Sequence, residues 1–257
     1  MLIKFIQINI YEGKYLDDLI LFLKKEEPDF ISMQEVTTGG FNLYFDKQAN
    51  LFEILKEKLQ MHGVFHGDLV LSSDNKSLFG NAVFSKWPIV NRQIVTLCKF
   101  RPISLEELSS NKSTVREIID RHLLDTSVEV QGKTLHILSW HGAWTAPPHD
   151  TSLTFKQARI VHDYLKNISS PFVLGGDLNA VMSSKTVKLV ETVSSNLMKH
   201  ASVKMTTNPK VHKIAPRGFL VDYIFSSFDF KLLSVDVPQI TVSDHLPVVA
   251  NLETLFL

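Results

Sequence analysis

Residues 171–179, which read PFVLGGDLN, decide how the rest of the chain is interpreted. A short apolar run that ends in glycine predicts a buried strand, and the glycine pair leaves room for the backbone to turn and for a ligand to approach. Asp177 and Asn179 lie two positions apart, so on an extended chain both side chains point to the same side. A carboxylate beside an amide at a strand end can hold a water molecule and an oxyanion together. The alternative is an ordinary turn in which both residues serve only turn chemistry.

The composition predicts a packed globular protein. The 257 residues are 44% hydrophobic and carry no formal net charge, so the core is ample and nothing global indicates a nucleic acid or an anionic membrane as partner. Cys98 is the single cysteine, which excludes an internal disulfide and favours a reducing compartment. The first residues lack the pattern of a signal peptide. No apolar run is as long as the stretch of about 20 residues that a membrane span requires. We therefore expect a cytoplasmic protein without a membrane span, and a monomer.

The order of strand and helix patterns predicts an α/β fold. Residues 2–9 are rich in strand-forming residues, and apolar residues at helical spacing follow between Leu16 and Leu23. Pro28 ends this helix, and residues 29–36 then predict a second apolar strand. A strand, a helix and a second buried strand in this order indicate a crossover unit. Because no repeat, low-complexity tract or linker interrupts the pattern, we expect residues 1–257 to form one domain.

The remaining patterns predict more strands and helices along the chain. Residues 101–127 are polar and mixed in charge, so we place them as a surface excursion that carries a short helix. The other predicted elements are helices at 51–59, after Thr151 and around Val187, Val190 and Leu197, strands at 80–85, 89–97, 219–225, 232–237 and 248–252, and a hairpin at 128–140 whose turn contains Gly132.

Polar residues stand at or just beyond the ends of these apolar runs. They are Asn9, Glu35, His141, Asp177, Asn179, Asp222, Asp244 and His245. Buried strands do not normally end in so many acids, amides and imidazoles, because the unpaired burial of such groups is costly. If the strand ends meet at one edge of packed sheets, these side chains form a cleft. Oxygen ligands without cysteine or a dense histidine set suit Mg²⁺ or Mn²⁺ rather than zinc.

Short motifs follow one another in a characteristic order over essentially the whole chain. They are Asn9 after the first strand, QEV at 34–36, GNAVFS at 80–85, His141, GDLN at 176–179, VDYI at 221–224 and SDHLP at 243–247. Each is weak alone, but together they resemble the endonuclease/exonuclease/phosphatase superfamily, which includes deoxyribonuclease I and exonuclease III. The chain is most similar to uncharacterised bacterial members. The resemblance implies a four-layer α/β sandwich, in which two mixed β-sheets pack face to face with helices outside.

The resemblance also implies a metal site and a water-activating group. Glu35 would be the principal ligand of Mg²⁺ or Mn²⁺, with Asn9 beside it and Asp244 completing the metal environment. Asp177 would orient or deprotonate the attacking water, and Asn179 would position that water or the phosphate.

Two histidines would contact the phosphate. By the same resemblance, Asp222 would bond to His245 and hold its imidazole against a phosphate oxygen, and His141 would bind the phosphate from the other side. Deoxyribonuclease-like members place a glutamate before the GN motif as partner of the first histidine. The corresponding residues 72–77 here contain no glutamate, so the partner of His141 stays open.

The implied function is a divalent-metal-dependent hydrolase of phosphoesters, in the first place a phosphodiesterase or nuclease-like enzyme. A phosphatase, or a phosphodiesterase acting on a lipid or another small headgroup, is the alternative of the same fold. A non-catalytic binding module is the alternative of another class. The substrate is a phosphoester, and nucleic acid stays open as a partner.

One uneven charge distribution bears on the substrate. No acid occurs between Glu191 and Asp222, whereas Lys210, Lys213 and Arg217 lie there in a predicted loop. Their positive charges would attract an anionic part of the substrate at the mouth of the cleft. The alternative is a solvated surface loop.

Overall fold

The computed structural model describes residues 1–70, 78–104, 106–107, 110 and 113–255. Residues 72–77, where the sequence lacks the glutamate expected as a partner of His141, lie outside these ranges. The described strands are β1 (Leu2–Asn9), β2 (Phe30–Thr37), β3 (His62–Gly67), β4 (Phe79–Ser85), β5 (Ile89–Cys98), β6 (Arg121–Val130), β7 (Lys133–His141), β8 (Phe172–Asp177), β9 (Ser195–Asn196), β10 (Asp222–Ser226), β11 (Phe230–Asp236) and β12 (Val248–Thr254). The described helices are α1 (Leu16–Glu26), α2 (Leu51–Leu59), α3 (Ser113–Glu117), α4 (Ser152–Lys166) and α5 (Lys185–Val190), with 3₁₀ turns at Tyr11–Gly13 and Leu197–His200.

The strands form two six-stranded mixed sheets. Their orders are β11-β12-β1-β2-β4-β3 and β5-β6-β7-β8-β10-β9. One neighbouring pair in each sheet is parallel, β1 with β2 and β7 with β8. The helices flank the sheets, which confirms the predicted four-layer α/β sandwich. No helix in the described ranges is long and apolar enough to cross a membrane.

The core lies between the sheets, with Phe5 and Phe30 of the first sheet in one buried cluster with Trp140 and Val173 of the second. These side chains are fully inaccessible to solvent, and their burial is the main favourable contribution to folding. The strands that contribute them were predicted from their apolar runs, because a strand buried on both faces needs no alternation.

The glycine pair of β8 serves packing. A Cβ atom at Gly175 would lie 2.7 Å from Cβ of Ser32 and 2.8 Å from Oε1 of Gln7 on the facing sheet. A Cβ atom at Gly176 would lie 2.4 Å from the carbonyl oxygen of Trp140 on the neighbouring strand. The glycine pair was expected to leave room for a turn and for a ligand. Instead, other protein atoms fill this space, and β8 continues through both glycines to Asp177.

The structure differs from the predicted elements in three respects. Residues 101–127 are not all a surface excursion: α3 is the expected short helix, but β6 begins at Arg121 and is buried. The polar side chains of β6 gave no sequence signal of burial, because their partners lie on other strands. Oδ2 of Asp125, for example, lies 2.9 Å from Nδ1 of His136 on β7. Strand β3 was not predicted, and Leu197 belongs to a 3₁₀ turn rather than to α5.

Candidate active site

The predicted site residues meet in one cleft at an edge of the packed sheets. The cleft has a volume of about 320 Å³ and is lined by Asn9, Glu35, His141, Asp177, Asn179, Asp244 and His245, among others. Asp222 is fully buried behind this wall. The strand ends converge because β1, β7 and β8 all run toward this edge, which brings together residues more than 100 positions apart in sequence.

Asp222 and His245 form a buried pair. Nδ1 of His245 lies 2.8 Å from Oδ2 of Asp222, and Gln7 donates through Nε2 to Oδ1 of Asp222 at 3.4 Å. Burial alone would lower the pKa of His245, but the carboxylates of Asp222 and Asp177 raise this pKa well above its usual value. The carboxylates therefore favour the imidazolium form of His245, which can stabilise negative charge in the cleft.

Asp177 lies between the two histidines of the cleft. Its Oδ2 is 3.6 Å from Nε2 of His141 and 3.7 Å from Nε2 of His245. The Asn9 side chain donates to Oδ2 at 3.1 Å, and the backbone N–H of Asn179 donates to Oδ1 at 3.0 Å. Burial raises the pKa of Asp177 to about 6, although the charge of His245 opposes this rise. A carboxyl group with a pKa near neutrality can accept a proton at working pH.

His141 has a different environment from His245. Its Nδ1 atom is buried and has no hydrogen-bond partner among the described residues. Burial and the positive charge of Arg121 lower the pKa of His141 well below its usual value. The neutral imidazole of His141 is therefore favoured. Asp177 faces its Nε2 atom at 3.6 Å, while the partner of Nδ1 stays open.

The three residues that the resemblance assigns to a metal lie in the same cleft. Glu35 occupies a register shift between β2 and β4 with φ 60°, and it is half-buried. Burial raises the pKa of Asp244 to about 7, and the negative charges of Glu35 and Asp177 add to the rise against the opposing charge of His245. Neighbouring carboxylates that raise the pKa of Asp244 in this way offer a favourable site for a cation.

Asn9 connects the two parts of the site. Its Oδ1 accepts a hydrogen bond from the backbone N–H of Tyr11 at 3.1 Å, while its Nδ2 donates to Asp177. The amide oxygen retains one lone pair for a cation. Among described His, Asp and Glu side chains, the groups with potential ligand atoms within 4.8 Å of one another include Asp244 but not Glu35.

Comparisons with known proteins identify the family of the chain. A model of the Endonuclease/Exonuclease/phosphatase family matches residues 6–245. The chain belongs to this family. The search of curated proteins by sequence gives no match.

Solved structures with the family fold cover nearly the whole chain. An endonuclease/exonuclease/phosphatase from Bacteroides vulgatus is 19% identical over 99% of both chains, with a TM-score of 0.75. A mannosyl-6-phosphatase from Bacteroides thetaiotaomicron is 16% identical over 98% of this chain and 99% of that one, with a TM-score of 0.74. The human Nocturnin catalytic domain with bound sulfate is 18% identical over 98% of this chain and 94% of that one, with a TM-score of 0.70. At these identities the likeness shows the fold alone.

The cleft of this family member also contains residues that the motifs did not indicate. Glu12 is buried, and burial with the charge of Glu35 raises its pKa to about 8. Nε2 of His212 lies 3.9 Å from Oδ2 of Asp244, and burial with the charge of His245 lowers the pKa of His212 to about 4. Both residues occur in a predicted turn or loop, where the sequence gives no signal of burial.

The basic loop contributes less than its charge suggested. Lys213 lines the cleft, whereas Lys210 and Arg217 are exposed and lie outside the lining. Only one of the three cations is thus placed to meet a substrate held in the cleft.

Apolar and aromatic residues form another wall of the cleft. They include Phe41, Tyr44, Phe79, Trp144 and Pro147. Trp144 lines the cleft, whereas Trp140 is a fully buried core residue. The cleft therefore combines charged and apolar walls.

Proposed function

We propose that the protein is a divalent-metal-dependent hydrolase of phosphoesters. The observation that carries the proposal is the position of Asp177, whose Oδ2 lies 3.6 and 3.7 Å from the imidazoles of His141 and His245. A proton acceptor between a neutral and a charged imidazole, with further carboxylates beside it, provides for both water activation and charge stabilisation. A non-catalytic binding module would have no need for this combination.

Glu35, Asp244 and Asn9 would hold Mg²⁺ or Mn²⁺. Their hard oxygen atoms suit these ions, and the raised pKa of Asp244 means that a bound cation would relieve the repulsion among the acids. When bound, the ion would neutralise phosphoryl oxygens and ease departure of the leaving oxygen.

The other side chains would act on the water and on the phosphoryl group. Asp177 would accept the proton of the attacking water, and Asn179 would position that water or a phosphoryl oxygen. The imidazolium of His245, held by Asp222 at 2.8 Å, would stabilise the charge that develops on the phosphoryl oxygens. His141 would contact the same group from the opposite side of Asp177.

Two substrate classes are candidates. The sequence favours a phosphodiester, as in a nuclease-like enzyme, and a diester stays the first candidate by resemblance. The cleft favours the second, a compact phosphomonoester, because its volume of about 320 Å³ suits a small molecule rather than a duplex. One structural neighbour bears the name mannosyl-6-phosphatase, although its 16% identity does not extend that substrate to this chain.

Turnover of generic esters tests the proposed function. The purified protein is incubated with p-nitrophenyl phosphate and with bis(p-nitrophenyl) phosphate, first with chelator and then with Mg²⁺ or Mn²⁺ in excess. We expect hydrolysis of at least one ester that stops in chelator and returns with metal. Absence of turnover on these and on a panel of DNA, RNA, nucleotides, phospholipids and sugar phosphates would favour the binding module.

The Asp222–His245 pair should behave as one unit. Because Asp222 acts only through the imidazole that it orients, Asp222→Asn and His245→Ala should each lower kcat by about 10²-fold or more, and the double variant should lose little beyond the worse single one. The double-mutant cycle is measured on the better generic ester. Multiplicative losses would show that the two residues work independently.

A further inference from the structure

Arg121 is a buried cation at the wall of the cleft. It begins β6 and is 3% exposed, yet it belongs to the lining of the cleft. Leu123 pairs with Trp140 of β7, so Arg121 enters the sheet beside the end of β7, where His141 lies. Its charge is near enough to lower the pKa of His141.

The guanidinium of Arg121 is incompletely paired. Its Nε and Nη1 atoms are buried and have no hydrogen-bond partner among the described residues. The one ion pair found for it in the described ranges is long, at 3.9 Å between Nη1 and Oδ2 of Asp68. A buried guanidinium with unmade hydrogen bonds is costly. The cost is explained if an anion supplies the missing acceptors.

One carboxylate oxygen of Asp68 is hydrogen-bonded to a histidine. Asp68 is 1% exposed, and its Oδ1 lies 2.9 Å from Nδ1 of His122. The ring of His66 packs edge-on against that of His122, with centroids 4.5 Å apart. The other oxygen of Asp68, Oδ2, has no hydrogen-bond partner among the described residues and lies 3.9 Å from Nη1 of Arg121. Asp68 therefore faces the guanidinium without a hydrogen bond to Nε or Nη1, and these donors can bind a planar pair of oxygens.

His66, Asp68 and His122 have potential ligand atoms within 4.8 Å of one another. This cluster is nevertheless a poor cation site. The guanidinium of Arg121, 3.9 Å from Asp68, would repel a metal ion bound there. The neighbouring charge favours an anion instead.

We infer that Arg121, positioned by Asp68, binds the phosphoryl group beside His141 and makes the cleft selective for phosphomonoester dianions. This inference rests on the proposed function. A monoester presents three non-bridging oxygens and up to two negative charges, whereas a diester presents two oxygens and one charge. Together with His245 and Asn179, and with a metal ion when one is bound, the Arg121 guanidinium would match the additional oxygen and negative charge of a monoester.

The ester preference of Arg121 variants tests the inference. Arg121→Met, Arg121→Lys and the exposed control Arg159→Met on α4 are compared on p-nitrophenyl phosphate and bis(p-nitrophenyl) phosphate. We expect Arg121→Met to lower kcat/KM for the monoester by about 10²-fold, the scale of one lost charge-stabilising donor, and to lower it much less for the diester. The kcat/KM of Arg121→Lys for the monoester should lie between those of wild type and Arg121→Met, because lysine keeps the charge but loses the two parallel N–H donors of the guanidinium. Equal losses on both esters would overturn the inference.

A double variant with balanced charge controls for misfolding of Arg121→Met. Arg121→Met leaves Asp68 without its cation, so Arg121→Met is also combined with Asp68→Asn, which removes the carboxylate charge. The double variant should fold, as measured by circular dichroism and Tm, and should keep the changed ester ratio. Asp68→Asn alone should raise KM for the monoester and shift the ester ratio, which a purely structural role would not do. A folded double variant with the wild-type ester ratio would contradict the inference.

Binding of inorganic phosphate separates this inference from the proposed function. Calorimetric titration of wild type, Arg121→Met and Arg159→Met needs no turnover. Phosphate binding that Arg121→Met weakens by about tenfold or more, a loss of at least about 1.4 kcal/mol, supports the inference even if no ester is hydrolysed. Metal-dependent hydrolysis together with unchanged phosphate binding and an unchanged ester ratio would overturn the inference and leave the proposed function in place.

Discussion

Replacement of Asp177 by asparagine is expected to lower kcat by about 10² to 10⁴-fold, the range for loss of a general base. The change keeps the size of the side chain and its hydrogen bond from the backbone of Asn179, but the amide cannot accept a proton from water. Because Asp177 lies between His141 and His245 with a pKa raised to about 6 by burial, it is the group best placed to take that proton. Steady-state turnover of the better generic ester measures the effect.

The pH dependence of this variant provides a second readout. The rate of the wild-type protein should fall as pH drops through the pKa of Asp177, since the protonated carboxyl cannot act as a base. The part of this acid limb that belongs to Asp177 should be absent in Asp177→Asn. Asp163→Asn is a matched control, because Asp163 is an exposed acid on α4 and its loss should leave rate and profile unchanged. Wild-type turnover in Asp177→Asn would remove Asp177 from the mechanism.

Glu35→Gln is expected to abolish measurable metal binding and to lower turnover by at least about 10²-fold, since even indirect supports of a metal ligand cost about 10 to 100-fold when lost. The neutral amide removes one charge from the acidic group that includes Asp244. Glu35 is half-buried in the cleft rather than in the core, so the variant should keep its Tm. Mn²⁺ binding and turnover are measured on the same preparation.

Two comparisons make the Glu35 result decisive. Glu57→Gln, on the exposed face of α2, removes an equal charge and should change neither metal binding nor rate. A partial return of activity in Glu35→Gln at high metal concentration would indicate weakened binding rather than damage to the fold. Unimpaired metal-dependent turnover in Glu35→Gln would show that the ion binds elsewhere.

Much of the fold could be predicted because its signals are local. The sequence predicts β1 and α2 with the boundaries that the structure has, 2–9 and 51–59, since an apolar run and a helical period depend only on neighbouring residues. Strand β3 was missed because it is short, partly exposed and contains Gly63, which packs under Phe52 and Phe84 of other elements. Tertiary packing there overrides local preference.

The site divides in the same way. The motif residues Glu35, Asp177 and His245 could be placed from the sequence because each lies at or near the end of a recognisable strand. Arg121 and Asp68 could not, because their relation spans more than 50 positions and a polar segment gives no sign that it is buried. Their pairing appears only when β3 and β6 come together. The single domain, the monomeric state and the cytoplasmic location stay predictions.

Titration of metal-free protein with Mn²⁺, with bound ion followed by electron paramagnetic resonance and the rate of ester hydrolysis followed in parallel, is the most direct test of a metal-dependent hydrolase at this cleft. We predict no hydrolysis before Mn²⁺ is added and a rate that rises in proportion to the ion bound at the site containing Glu35. A full rate in the metal-free protein, or a rate that does not follow the bound ion, would contradict it.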